Sequence, residues 1–431
     1  MSAKKTIHEH FLNNGLKLII KEDHRAPVAI MQVWYKVGSS YEANGITGIS
    51  HALEHMMFRG SKEYGDTQYD EIITENGGQS NAFTSQDYTV YHQFMANDKL
   101  EICFKLEADR MHQLSLKEQD FKKEISVVME ERYMSIDDSP EHRAYERFAA
   151  MAHVSSPYRH SIIGWMDDLK QMTVADLRQW YQTWYTPNNA IVVVVGDVVP
   201  KQIQQWTKKY FGSIKPRFVP AVKPQNEVLP LGTRTVTVKV PAKLPWLVLG
   251  YNTPVLKTVA KDRKWEPYAL SIMSGILGLN SSSRLQKNIV RKKQIASSAY
   301  TTYTPFDRLD NLLTLGLTPV DMRSVEECKT ALLLEVKNLQ TTLVSSEELD
   351  RVKIAWVAAK IFGKDSLFNQ AYEIGMLECV GLSWSDTDRN TIKKIQSITP
   401  QQIKEVALKY LTPERLTIGI LEPLEIKANV A

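Results

Sequence analysis

The chain has 431 residues, of which 43% are hydrophobic and 24% charged, a length too great for one ordinary core and a composition suited to two globular domains. A net charge of +4, with no stripe of arginine and lysine interleaved with aromatics, excludes nucleic acid as an expected partner. Three scattered cysteines, Cys103, Cys328 and Cys379, exclude a disulfide framework or a cysteine-based zinc site, and no run of 18 or more apolar residues is present to span a membrane.

The amino terminus, Met1-Ser-Ala-Lys-Lys, shows no export signal and leads into two short strands predicted over 6–22 around the turn Asn13-Asn14-Gly15. The compartment is left open between the cytosol, as written, and the periplasm if a signal has been removed. Residues 27–35 read as a core strand. His51 and His55 then lie four apart in an apolar, methionine-rich stretch with helical spacing, so both imidazoles share one face and can grip a metal ion. Glu54, one step aside, stays free to handle a proton. That is the minimum kit for zinc-assisted hydrolysis, although the same residues also fit an ordinary pair of helical histidines.

Residues 80–94 read as two strands around a turn at Ser85-Gln-Asp87. A tetrahedral catalytic zinc takes three protein ligands and one water, so a third donor is required. The helix predicted over 124–132 offers Glu124 and Glu131, two turns apart on one face, with Val127 and Val128 between them as in a half-buried helix. Glu130 points off that face. Asp167-Asp168 reads as a short solvated acidic pair, and Trp180, Tyr181, Trp184 and Tyr185 as an aromatic core stripe.

Residues 173–187, from a threonine to a proline 14 positions on, precede the apolar strand 190–195. Residues 399–413 repeat that spacing before the strand 416–421, and 245–251 repeats the core strand 27–35. Two copies of one α+β unit follow. The expected division is a catalytic zinc-binding domain over 1–215, a linker over 216–232 carrying Pro216, Pro220, Pro224 and Pro230, and a homologous domain over 233–431 that closes a chamber. Prolines at that density give an extended tether, so the halves can face each other as the two jaws of a clamshell. All ten histidines lie between His8 and His160, and Ala269-Leu-Ser-Ile-Met-Ser-Gly275, where the metal helix should recur, holds no ligand.

Four runs carry a resemblance: Gly48 to Gly60 around His51, Glu54 and His55; Asn76-Gly-Gly-Gln-Ser-Asn81-Ala-Phe-Thr; Glu107-Ala-Asp-Arg110; and Val128-Met-Glu130-Glu131. In this order they resemble the signatures of the pitrilysin/insulinase family of metallopeptidases, the inverzincins, and in particular bacterial half-size subunits of the branch like the mitochondrial processing peptidase beta subunit. The resemblance implies an antiparallel-sheet-plus-helix fold in two homologous domains and one Zn2+ per chain. It selects Glu131, 76 residues after His55, as the third ligand, and makes Glu124 an auxiliary catalytic glutamate that orients a ligand imidazole or shares the proton load.

The resemblance also implies a peptide hydrolase. Glu54 would take a proton from the metal-activated water and pass it to the leaving amine. Asn81, Ala82 and Phe83 would lie on an edge strand that pairs with the substrate backbone, giving broad specificity for peptides or small unfolded proteins. Related enzymes carry an Arg and, about seven residues on, a Tyr that bind the substrate carbonyl. Arg291 matches the arginine, Ser297 or Ser298 stands in the tyrosine's place, and Tyr300 is displaced. The expected partner is therefore a homologous subunit supplying an intact Arg/Tyr pair in a heterodimer. A self-sufficient homodimer and a non-catalytic assembly subunit retaining a structural metal are the alternatives.

Overall fold

The computed structural model describes residues 7–229 and 231–425. Eleven described strands form two sheets. The first contains β1 (Ile7–Phe11), β2 (Lys17–Glu22), β3 (Val28–Tyr35), β4 (Gln79–Thr84), β5 (Thr89–Ala96) and β6 (Ala190–Gly196), in the order β1-β2-β6-β3-β5-β4. Only β2 and β6 pair in parallel; the other neighbours are antiparallel. β6 reads Ala-Ile-Val-Val-Val-Val-Gly and is buried throughout, the continuous apolar run expected of a central strand covered on both faces. β4 is left at an open edge.

The second sheet repeats the plan with β7 (Arg234–Pro241), β8 (Trp246–Thr253), β9 (Ala296–Thr302), β10 (Asn311–Pro319) and β11 (Leu416–Leu424), ordered β7-β11-β8-β10-β9. Its single parallel pair, β7 with β11, occupies the place of β2 with β6. The duplication extends to the caps. Thr173 and Thr399 each close a reciprocal capping box, with Asp176 and Gln402 three residues on, at the head of the helices Val174–Trp184 and Pro400–Tyr410. The threonine that opens each repeated spacing is therefore the cap of its helix. The aromatic stripe of the first of these helices is buried, as are all three cysteines.

The compact units are not the contiguous halves expected from the linker. One gathers the chain through Glu131 with His160–Lys223 and Ile361–Trp384; the other takes Arg132–Arg159, Pro224–Lys360 and the chain from Ser385 onward. Each half of the sequence thus lends a helix to the unit built mainly by the other. In the first unit the helix Leu367–Cys379 covers β3 and β6. Its Gly375 lies so close to the Trp34 indole that a Cβ there would overlap the ring. In the second unit the helix Pro140–Ala152 packs on β7, β11 and β8, burying Ala144, Phe148 and Ala152 against Trp246, Val248 and Leu421.

Residues 215–229 hold no helix or strand, as the prolines require, but the segment is fastened. In the first unit the Arg217 N–H donates to Thr186 Oγ1 at 3.0 Å. In the second the Glu227 carboxylate accepts from the N–H groups of Val154, Ser155 and Ser156 at 2.9, 3.2 and 2.9 Å. Beside that turn, burial pushes the His153 imidazole down to about 4, with the Glu227 charge working the other way. Between that value and the free value near 6.5 the unfolded chain binds a proton that the folded chain refuses. Stability should accordingly rise with pH across this window, by as much as about 3 kcal/mol. Urea melts at pH 4.5 and 7 should differ more for the wild type than for His153→Phe; an unchanged difference would place the acid sensitivity elsewhere.

Candidate metal centre

The helix Ile49–Met56 begins at Gly48, whose backbone is left-handed with φ +86°, a conformation that costs other residues about 1–2 kcal/mol. A Cβ at Gly48 would also overlap the Ile163 carbonyl oxygen. The helix start is held by Glu42, fully enclosed, whose carboxylate accepts from the N–H groups of Gly48 at 2.7 Å and Ser50 at 2.9 Å, two donors that the first helical turn leaves unpaired. Burial drives the Glu42 carboxyl up to about 8 against those bonds. Asp168 Oδ2 ties down the preceding loop, accepting from Gly45 N, Thr47 N and Thr47 Oγ1 at 3.2, 3.1 and 2.5 Å. Asp168 is thus a loop anchor, not the solvated acid that its position suggests. Gly48→Ala should lower the melting temperature and weaken metal retention against a chelator, since it both strains the backbone and displaces the loop; unchanged retention would show that the helix start does not govern the ligands.

From this anchored start Leu53 and Met56 turn into the core, and His51 and His55 share the other face with ring centroids 4.8 Å apart. Glu131 reaches them from the helix Glu118–Arg132, its Oε2 lying 3.6 Å from His51 Nε2 and 3.4 Å from His55 Nε2. Metal bonds of about 2.0–2.1 Å at tetrahedral angles separate ligand atoms by about 3.4 Å. The donor set therefore fits a zinc ion with little movement. Burial first, then the neighbouring His55, pushes His51 down to about 3, keeping the imidazole neutral as a ligand must be. Among the described residues, His51, His55 and Glu131 form the one group of three or more such side chains whose ligand atoms can converge on an ion.

Glu124 is buried behind the ligands. Its Oε2 lies 3.4 Å from His55 Nδ1, and its Oε1 accepts from Arg59 Nη2 at 2.6 Å. Val128 is buried, whereas Val127 is 48% exposed on the ligand side of the helix, so only one of the two valines serves the core. Glu130 is exposed and off the ligand face. Glu54 is half-buried; burial raises its carboxyl, and the Thr84 hydroxyl, donating to Oε2 at 2.5 Å, acts in the opposite sense.

Asn81, Ala82 and Phe83 lie on β4, the open edge strand, which packs beside the histidine helix. The Ala82 N–H donates to the Asn81 side-chain oxygen at 2.8 Å. Phe83 joins an aromatic group with Trp34, Tyr88, His92, Phe368 and Tyr372. Arg291 and Tyr300 belong to the second unit. Arg291 is exposed at the end of the helical segment Leu285–Lys293, and Tyr300 is half-buried on β9 against the second core. Tyr35 pairs with the first residue of β6, and Tyr251 likewise with the first residue of β11. Aligned on that pair, the row Gln32, His92, Asn81 matches the row Val248, Gly316, Tyr300. Tyr300 thus stands at the Asn81 position of the second sheet. Glu42, Arg59, Thr84 and Asp168 carried no signal that assigned them to the site, although Arg59 and Thr84 lay inside quoted motifs.

The family model described as Insulinase (Peptidase family M16) matches residues 17–164, and that described as Peptidase M16 inactive domain matches 171–355. The zinc protease PqqE of Helicobacter pylori is 36% identical over 363 residues, covering 82% of this chain and 80% of that protein. The chain belongs to the insulinase family, M16. The second matched segment takes in β6 of the first sheet as well as β7 to β10 of the second, so the matches divide the chain ahead of the boundary between the two sheets. A crystal structure of a protease from Helicobacter pylori has the same fold, with a TM-score of 0.91 at 30% identity over 97% of this chain and 99% of the other. A probable mitochondrial-processing peptidase subunit beta from Arabidopsis thaliana is 26% identical over 200 residues, 46% of this chain and 38% of that protein. Among the described residues no helix is long and apolar enough to cross a membrane.

Proposed function

We propose that this M16 member is a zinc-dependent endopeptidase that hydrolyses peptides or small unfolded proteins, acting as the zinc-bearing subunit of a heterodimer. The observation that carries the reading is the spacing of His51, His55 and Glu131 at metal-ligand distances with a second acid, Glu54, beside them and outside the ligand set. A purely structural metal has no use for that acid. When bound, zinc supplies Lewis acidity that brings a water's pKa from 15.7 to about 7 and polarises the scissile carbonyl.

The chain's own residues supply the rest. Glu54 accepts a proton from the attacking water and delivers it to the departing amine nitrogen, so one carboxyl serves as base and then acid. Glu124, held by Arg59, orients the His55 ring from behind. The open edge of β4 offers main-chain groups to an extended peptide, with Asn81 exchanging its contact to Ala82 for one to the substrate. Arg291 and Tyr300 are candidates for holding the substrate carbonyl, but Tyr300 is packed half-buried at a strand position equivalent to Asn81, which favours a partner subunit as the source of an intact Arg/Tyr pair.

The test is cleavage of a quenched fluorescent peptide by the zinc-loaded chain, alone and mixed with a homologous half-size M16 chain that lacks the zinc motif. Weak activity alone and a strong gain on mixing are expected. Full activity alone with no gain would leave a self-sufficient peptidase, and no activity in either arm would favour an assembly role.

A further inference from the structure

The hairpin of β4 and β5 does more than present an edge. Thr84, the last residue of β4, is the one residue among those described whose side chain hydrogen-bonds Glu54, and at 2.5 Å the bond is short. We propose that Thr84 is a positioning residue for the base, its hydroxyl fixing one oxygen of Glu54 so that the other is reserved for proton transfer with the attacking water. This deepens the peptidase reading and rests on it.

Three observations support the assignment. Glutamate has three free torsions, and the half-buried Glu54 would sample several without an anchor; threonine is β-branched and stiff at χ1, so its hydroxyl direction is set by the strand. The strand end is itself held. Thr84 pairs with Thr89, Ser85 N donates to Tyr88 O at 2.8 Å, and the loop after β3 grips the tip through Ser39 N to Ser85 O at 3.1 Å and Ser40 N to Gln86 O at 2.8 Å. Ser40 Oγ adds a bond to Asp87 Oδ1 at 2.9 Å. Lastly, Thr84 follows Asn81, Ala82 and Phe83 directly. A peptide laid along that edge is aligned by the same few residues of backbone that set the base, so substrate register and base orientation are linked within one strand.

Thr84→Val keeps shape and branching and removes only the hydroxyl; Thr84→Ser restores it. With zinc content unchanged, Thr84→Val should lower kcat about ten- to a hundredfold while KM stays within about twofold, and Thr84→Ser should recover to within about threefold of wild type. A second readout needs no metal and no turnover. In the metal-free chain, Thr84→Val should lower the urea midpoint, and that shift should vanish in a Glu54→Ala background, the signature of a direct contact. An active wild type with unaffected Thr84→Val, a serine variant as slow as the valine one, or a midpoint shift that persists without Glu54 overturns the Thr84 role alone. A wild type inactive in every pairing overturns the peptidase reading and the positioning role of Thr84 with it.

Discussion

Glu54→Gln is expected to keep one zinc per chain and to lose about two to four orders of magnitude in kcat, the usual range for removal of a general base. The substitution preserves length and the oxygen that Thr84 grips, and it leaves His51, His55 and Glu131 untouched. It removes only the ability to take and return a proton. KM should change little, because Glu54 is assigned no contact with the peptide that is equal in ground and transition states. Elemental analysis together with steady-state cleavage of a quenched peptide checks both halves of the expectation. Full retained activity would remove Glu54 as the base, and loss of the metal would show that it helps to hold the ion.

Glu131→Ala should act in the complementary way. Two imidazoles on one helix remain, but the anionic ligand that completes the set is gone, and affinity should fall by more than about a hundredfold, beyond what the loss of a supporting partner costs. The purified variant should hold far less than one zinc per chain and show no turnover at metal concentrations that saturate the wild type. Glu130→Ala is the control: its side chain is exposed and off the ligand face, so content and activity should match the wild type. Equal losses for the two variants would mean that disturbance of the helix Glu118–Arg132, rather than ligation, explains the effect. Chelation of the wild type should reproduce the Glu131→Ala phenotype, and added zinc should reverse it.

Much of this was legible in the chain because the signals are local. Four-residue spacing puts His51 and His55 on one face whatever surrounds the helix, and the repeated Thr-to-Pro spacing with its following strand marks the duplication. Glu131 required the resemblance, since helical geometry alone left Glu124 as an equal candidate. Glu124 instead turns to Arg59 and the far side of His55, a choice made by tertiary packing. Asp168 was misread because an acid at a helix start looks the same in sequence whether it meets water or the backbone of Thr47. Glu42 and Thr84 escaped notice for a related reason: their partners are backbone donors or a carboxyl reached only once the sheet has formed. The exchanged helices Pro140–Ala152 and Leu367–Cys379 show the same limit at larger scale, because an apolar stripe declares that a helix will be covered and not which sheet will cover it.

That exchange bears on how the molecule is made. A nascent chain that has left the ribosome only as far as the proline-rich segment has synthesised His51, His55 and Glu131, the three proposed zinc ligands, yet Trp34 and the face of β3 and β6 still await a helix encoded some 150 residues further on. Metal loading and full folding are therefore expected to be post-translational events, and a gene cut at the tether would yield two fragments that solubilise each other only when produced together.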